Sequence, residues 1–201
     1  MSSFYTETDV SRDEDIGKDS TQIKIVVLGK SLVGKSALTY RFISDKFPTE
    51  HDTTVEDQYK TIANVDGSPC ELEVLDTAGQ DDYQTMLDTW IEFGDCFLLV
   101  YSIDDYDSFK QTKHKFERIQ QLKKNEIYSV VLVGNKCDLP DTSRKVSKSE
   151  VENYGQNIGV SVIETSALNK VNVKEAFIDV VHNYLVKNPK NKKKKTWCRC
   201  F

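Results

Sequence analysis

The stretch Ile23-Lys24-Ile25-Val26-Val27-Leu28-Gly29-Lys30-Ser31-Leu32-Val33-Gly34-Lys35-Ser36 decides the reading of this chain. An aliphatic, β-branched run ends in Gly29, a short loop follows, and Ala37, Leu38, Tyr40, Arg41 and Phe42 then set a helical pattern. The loop itself is G-x-x-x-x-G-K-S. Glycines let such a loop wrap a phosphate, its backbone N–H groups point inward, and the following helix adds the positive end of its dipole. An ordinary glycine-bearing turn needs neither the lysine nor the hydroxyl at these places. Lys35 is therefore expected to reach the β- and γ-phosphates of a nucleotide, and the Ser36 hydroxyl to bind Mg²⁺. The contact set read from this loop is Gly29, Ser31, Leu32, Val33, Gly34, Lys35, Ser36 and Ala37.

Outward from this loop, strand patterns recur at 23–29, 58–65, 70–77, 96–103, 129–136 and 160–165, separated by helical stretches. Several of these runs are almost wholly apolar, as strands covered on both faces require. Asp66-Gly67 between the second and third signals a tight hairpin, so that pair is expected to be antiparallel. In the last helical stretch, Val173, Phe177, Val180, Val181, Tyr184 and Leu185 recur at helical spacing. The pattern predicts an α/β fold: a doubly wound, mostly parallel six-stranded sheet with one antiparallel strand, binding ligands beyond the carboxyl ends of its strands. An acidic, disordered extension is expected at 1–21, one nucleotide-binding domain at 22–187, and a Lys-rich tail at 188–201.

Composition narrows the classes. With 38% hydrophobic and 29% charged residues, the chain is neither disordered throughout nor collagen-like. Its longest apolar run, Cys96–Tyr101, is far too short for a membrane span. The polar, acidic N-terminus does not read as a secretory signal, and Ser2 excludes N-myristoylation. The net charge of −5 divides unevenly: residues 187–201 carry six Lys and Arg199 with no acid, leaving 20 basic against 32 acidic side chains in residues 1–186. So acidic a body repels nucleic acid, while its basic arm suits an anionic surface. Cys70, Cys96 and Cys137 are isolated and form no metal-ligand pattern.

Asn135-Lys136-Cys137-Asp138 follows the strand pattern SVVLVG. A carboxylate such as Asp138 accepts hydrogen bonds from guanine N1–H and its exocyclic amine, whereas adenine would leave it unpaired. In sequence and spacing, N-K-x-D after such a phosphate loop resembles the guanine motif of Ras-like small GTPases, which share the P-loop GTPase fold. The resemblance implies that backbone N–H groups of Thr165-Ser166-Ala167, with Leu168 beside them, read the guanine O6. It implies that Asp76 holds Mg²⁺ through water, that the Gly79 N–H senses the γ-phosphate, and that Gln80 orients the attacking water. Thr53-Thr54-Val55-Glu56-Asp57 matches the family's first switch and effector segment, in the loop before the second strand. Thr54 then becomes a second Mg²⁺ ligand, and Phe47 an aromatic packed against the base.

The resemblance covers 22–187 and lies nearest the Ras/Rap branch. The Pro140–Val146 stretch is too short for the extra helix of the Rho branch. It implies GTP and GDP as ligands, Mg²⁺ as cofactor, and catalysis by Gln80, Lys35 and Gly79. It further implies an exchange factor, an activating protein that supplies an arginine, effectors that bind the first switch, and a domain acting as a monomer. Loops 47–57 and 77–90 are expected to order around the γ-phosphate, and Arg41 reads as a solvated helix residue. Ser31 stands where Ras has glycine, which raises the alternative of a permanently GTP-loaded binding module. Cys198, four residues from the end, resembles a prenylation site and with the Lys run implies the cytoplasmic face of a membrane, the plasma membrane first.

Overall fold

Alternate residues of a strand face opposite ways, and the first strand shows why a sheet covered on both faces results. The computed structural model describes residues 22–48, 56–79 and 84–189. Its elements run β1 (Ile23–Gly29), α1 (Lys35–Ser44), β2 (Glu56–Val65), β3 (Ser68–Thr77), α2 (Gln84–Phe93), β4 (Cys96–Ser102), α3 (Tyr106–Leu122), β5 (Ser129–Asn135), α4 (Lys148–Ile158), β6 (Ser161–Glu164) and α5 (Val173–Lys187). Ile23, Ile25 and Val27 join a core cluster with Ala37, Leu38, Phe177 and Val180 from α1 and α5. Val26 and Leu28 join a second cluster with Trp90, Ile91, Phe109, Phe116 and Val151 from α2, α3 and α4. Full burial of each such side chain contributes about 1.5–3 kcal/mol, so the two faces share the stabilisation.

The sheet order is β2–β3–β1–β4–β5–β6. Only the β2–β3 pair is antiparallel; β1 lies parallel to both β3 and β4, and β5 to β4 and β6. The carboxyl ends of the five parallel strands therefore open on one edge of the sheet, and the phosphate loop and the segments beginning at Thr77, Lys136 and Thr165 leave from there.

The hairpin turn is the two-residue kind its sequence predicts, with φ of 53° at Asp66 and 78° at Gly67. Such a turn keeps the ladder unbroken from Val65–Ser68 to Glu56–Thr77. Both strands consequently run two residues further than the alternating pattern suggests. Glu56 and Asp57, expected in the loop before the second strand, lie within β2 opposite Thr77 and Asp76. The expected loop 77–90 is likewise shortened, because α2 starts at Gln84 and buries Trp90 and Ile91 against the sheet. Between Pro140 and Val146 there is a single 3₁₀ turn, Asp141–Ser143.

A side-chain cap fixes the start of α3, which borders the site. Asp105 caps α3, its carboxylate accepting from the N–H groups of Asp107 at 3.0 Å and Ser108 at 3.3 Å. No helix among the described residues is long and apolar enough to cross a membrane. The expected extension 1–21 and the tail from 190 onward lie outside the described residues.

Helices α1 and α5 meet through Phe42 and Phe177, whose rings stack with centroids 4.1 Å apart and planes 2° from parallel. Phe177 is fully buried. Phe177→Ala is expected to lower the unfolding free energy by about 3–5 kcal/mol in urea titrations, the cost of an aromatic cavity.

Candidate functional site

The phosphate loop is held from outside and beneath. Gly29 ends β1 opposite Val100 of β4. The Lys30 ammonium reaches away from the loop to Asp105 at 3.0 Å and Asp107 at 2.9 Å, which raise its pKa and pin the loop to the start of α3. Ser31 is half-buried and Val33 fully buried. Leu32 adopts φ 66° and is 88% exposed. A leucine in left-handed backbone costs roughly 1–2 kcal/mol, with no burial here to offset it. Gly34 precedes α1 with φ 92°, and a Cβ there would lie 2.4 Å from Asn135 Nδ2, so no larger residue fits. Behind it, Lys35 and Ala37 are buried and Ser36 is half-buried.

Two opposite charges are buried by this loop, Lys35 at the start of α1 and Asp76 near the end of β3. Lys35 donates to the Lys30 carbonyl at 3.1 Å, and burial pulls its pKa down to about 8 against the attraction of Asp76. Asp76 is 1% exposed and burial pushes its pKa up to about 6, although the Ser36 side chain and Lys35 favour its charged form. Neither carboxylate oxygen of Asp76 completes a hydrogen bond of normal geometry. Thr77 beside it is committed elsewhere, donating to the Val27 carbonyl at 2.8 Å. Gly79 lies against the phosphate loop: a Cβ there would be 2.4 Å from the Ser31 nitrogen and 2.5 Å from Lys35 Nζ. A buried, under-coordinated carboxylate next to a serine hydroxyl is a donor set suited to a hard divalent cation.

The third group of residues gathers at the ends of β5 and β6. Asn135 is buried, donates from Nδ2 to the Val33 carbonyl at 2.9 Å, and accepts at Oδ1 from Thr165 Oγ1 at 3.2 Å and Ala167 N at 3.3 Å. One amide thereby joins the phosphate loop to the loop after β6. Lys136 sits at φ 67° with its ammonium 3.9 Å from Asp104. Asp138 accepts from the Ser166 hydroxyl, which in turn accepts from the Asn169 N–H at 2.9 Å. Leu168 is 52% exposed at the loop's tip, and Phe47 packs half-buried at the end of α1.

The structure thus brings together Gly29–Ala37, Asp76, Gly79, Asn135, Lys136, Asp138, Ser166, Ala167 and Leu168 along one sheet edge. Glu56 and Asp57 begin the adjacent edge strand, where Trp90 Nε1 donates to Glu56 at 2.7 Å. Thr53, Thr54, Val55, Gln80 and Cys198 lie outside the described residues. One expectation is corrected. Arg41 is not a solvated helix residue, because its guanidinium donates to the carbonyls of Ala167, Leu168 and Asp45 at 2.9, 2.9 and 2.8 Å. Local sequence gave no sign of this, since the first two partners lie 126 and 127 residues away.

Comparison with known proteins agrees with this arrangement. A sequence profile describing the Ras family matches residues 24–186. The chain belongs to the Ras family. It is 43% identical over 162 residues to the Ras-like protein rasB of Dictyostelium discoideum, a match covering 81% of this chain and 82% of that relative. Ras-family proteins are small GTPases, so this chain binds GTP and GDP with Mg²⁺ and hydrolyses GTP. In this Ras-family chain the donor set around Asp76 fits the cation and the buried Lys35 fits the phosphates.

The raised pKa of Asp76 has a measurable consequence. The folded state holds this proton more tightly than the unfolded chain, from an ordinary value of 3.8 to about 6. Stability of nucleotide-free protein should therefore fall as pH rises through that window and stay low above it. Asp76→Asn is expected to stabilise the nucleotide-free form at pH 7.5 by about 1–3 kcal/mol, with the gain shrinking towards pH 4. Thermal unfolding at the two pH values checks this.

Proposed function

We propose that this Ras-family GTPase is a membrane-tethered signalling switch in which an exchange factor loads GTP, a partner's arginine triggers hydrolysis, and effectors read the first switch segment. The observation that carries the site reading is the desolvated Lys35–Asp76 pair beneath the phosphate loop. Both charges are costly where they stand, and both find partners once a triphosphate and its cation bind. Bound Mg²⁺ supplies positive charge that polarises the β- and γ-phosphate oxygens.

The remaining work falls to residues of the chain. Lys35 neutralises charge developing between the β- and γ-phosphates, and loop N–H groups from Ser31 to Ser36 hold the oxygens in place. Ser36, Thr54 and Asp76 would hold the cation, Asp76 through water. Gln80 orients the attacking water and the Gly79 N–H registers the γ-phosphate, so both switch segments tighten when it is present. Asp138 accepts from the guanine N1–H and amine, the loop of Ser166, Ala167 and Leu168 faces O6, and Phe47 flanks the base.

An arginine supplied in trans is supported by what the chain's own arginines do. Among the described residues Arg41 holds three carbonyls, Arg118 pairs with Asp88, and Arg144 pairs with Glu164. None is free to reach the phosphates. Strand β2 is an edge strand whose first residues, Glu56 and Asp57, belong to the first switch segment, and this supports effector docking there. The Lys-rich segment with Cys198 supports tethering by a lipid and an anionic leaflet together.

Single-turnover conversion of bound GTP to GDP tests the switch. Slow conversion is expected, with Gln80→Leu at least tenfold slower under an arginine-supplying activator. Ser31→Gly is expected to raise the activated rate, and an equal rate would remove the role given to Ser31; tight GTP binding with no conversion in wild type or Gln80→Leu would favour a permanently loaded binding module. For the tether, Cys198→Ser is expected to remove the lipid mass and move the protein from the membrane to the soluble fraction of a eukaryotic host. An unlipidated wild-type chain would sink that part of the reading.

A further inference from the structure

We infer that Arg41 is a positioning residue for the base, setting nucleotide residence time through the backbone carbonyls of the loop after β6. The inference rests on the guanine reading proposed above and names what holds that reading loop in place. Arg41 Nε donates to the Ala167 carbonyl and Nη2 to the Leu168 carbonyl, each at 2.9 Å. Nη1 donates to the Asp45 carbonyl at 2.8 Å, so the guanidinium also closes the end of α1, its own helix. The planar guanidinium fork meets two successive carbonyls with fixed geometry, which a lysine ammonium cannot reproduce.

These carbonyls decide where the loop's amides point. Across a trans peptide the C=O and the next N–H are antiparallel, and no cis peptide occurs among the described residues. With the Ala167 carbonyl drawn to Arg41, the Leu168 N–H is turned to the opposite side. The neighbouring amides are already occupied: Ala167 N–H is 3.3 Å from Asn135 Oδ1, and Asn169 N–H is 2.9 Å from Ser166 Oγ. The Leu168 N–H takes no acceptor among the described residues, and Arg41 aims it away from the helix as a donor for a base oxygen.

Two further contacts place Arg41 between the walls of the base site. Its guanidinium lies 5.9 Å from the Phe47 ring, at the start of the first switch segment. Lys170, on the same reading loop, pairs with Asp45 at 2.5 Å and straps that loop to the end of α1 a second time. Displacing the chain near Phe47 would therefore disturb the grip on the base through Arg41, without any contact to the phosphates.

The test is dissociation of GDP, inosine diphosphate and ADP from wild type, Arg41→Ala and Arg41→Lys, followed by displacement of fluorescent analogues. Arg41→Ala is expected to release GDP about tenfold faster, equivalent to about 1.4 kcal/mol. Inosine diphosphate keeps O6 and N1–H and lacks the 2-amine, so it should lose the same factor, which separates the effect from the contact between Asp138 and that amine. ADP lacks O6, its weak binding should be unchanged, and the preference for GDP over ADP should shrink accordingly. Arg41→Lys should fall between the two. A merely structural role would lower the melting temperature of nucleotide-free protein and weaken GDP and ADP alike, and that result would overturn the inference. So would GDP release within twofold of wild type in Arg41→Ala, or in Arg41→Lys should the alanine variant not fold. A wild type that does not prefer GDP to ADP would instead overturn the guanine reading itself.

Discussion

The buried amide of Asn135 is the contact on which the site's assembly depends. It satisfies a carbonyl of the phosphate loop on one side, and a hydroxyl and a backbone amide of the β6–α5 loop on the other. An amide offers donor and acceptor together, so one side chain serves both loops at once. A carboxylate there would face the Val33 carbonyl with no proton to give, and an aliphatic residue would strand buried polar groups on both sides. Because Asn135 ends the interior strand β5, the sheet's own hydrogen bonds fix where this junction stands.

Around that junction the protein stores unfavourable electrostatics. Lys35 and Asp76 lie in a desolvated setting that weakens the charged state of each, and the backbone of Leu32 stands in the left-handed region. Strain and buried charge of this kind persist only where the surroundings over-determine them. Here the surroundings are the sheet, the Lys30 latch to Asp105 and Asp107, and the Asn135 amide. The cost is carried by the nucleotide-free fold and returned by the ligand, which links stability to occupancy.

Much of this was legible in the sequence, because the features concerned are local. The loop 29–36, the Asp66-Gly67 turn and the apolar runs of β1, β4 and β5 each carry their reason within a few residues. The start of β2 at Glu56 was not legible: its polar residues become strand only because a two-residue turn far down the ladder sets the register. The start of α2 at Gln84 depended in the same way on where Trp90 and Ile91 find the sheet. Arg41 read as a solvated helix residue, and nothing local pointed to the partners of Lys30, since the partners of both are distant in the chain and are chosen by topology. Arg41 was misread for that reason. Propensity and spacing cannot report on a backbone carbonyl contributed by another element.

Helix α1 touches both ends of the proposed ligand site, with Lys35 in its first turn and Arg41 in its last. Its ten residues make a rod about 15 Å long. Inserting or deleting one residue between these two would swing Arg41 about 100° around the axis, away from the reading loop. The helix is thus a ruler whose length and phase are matched to a nucleotide. Variation in chain length is closed to this segment, and its composition is free only on the side that neither end uses.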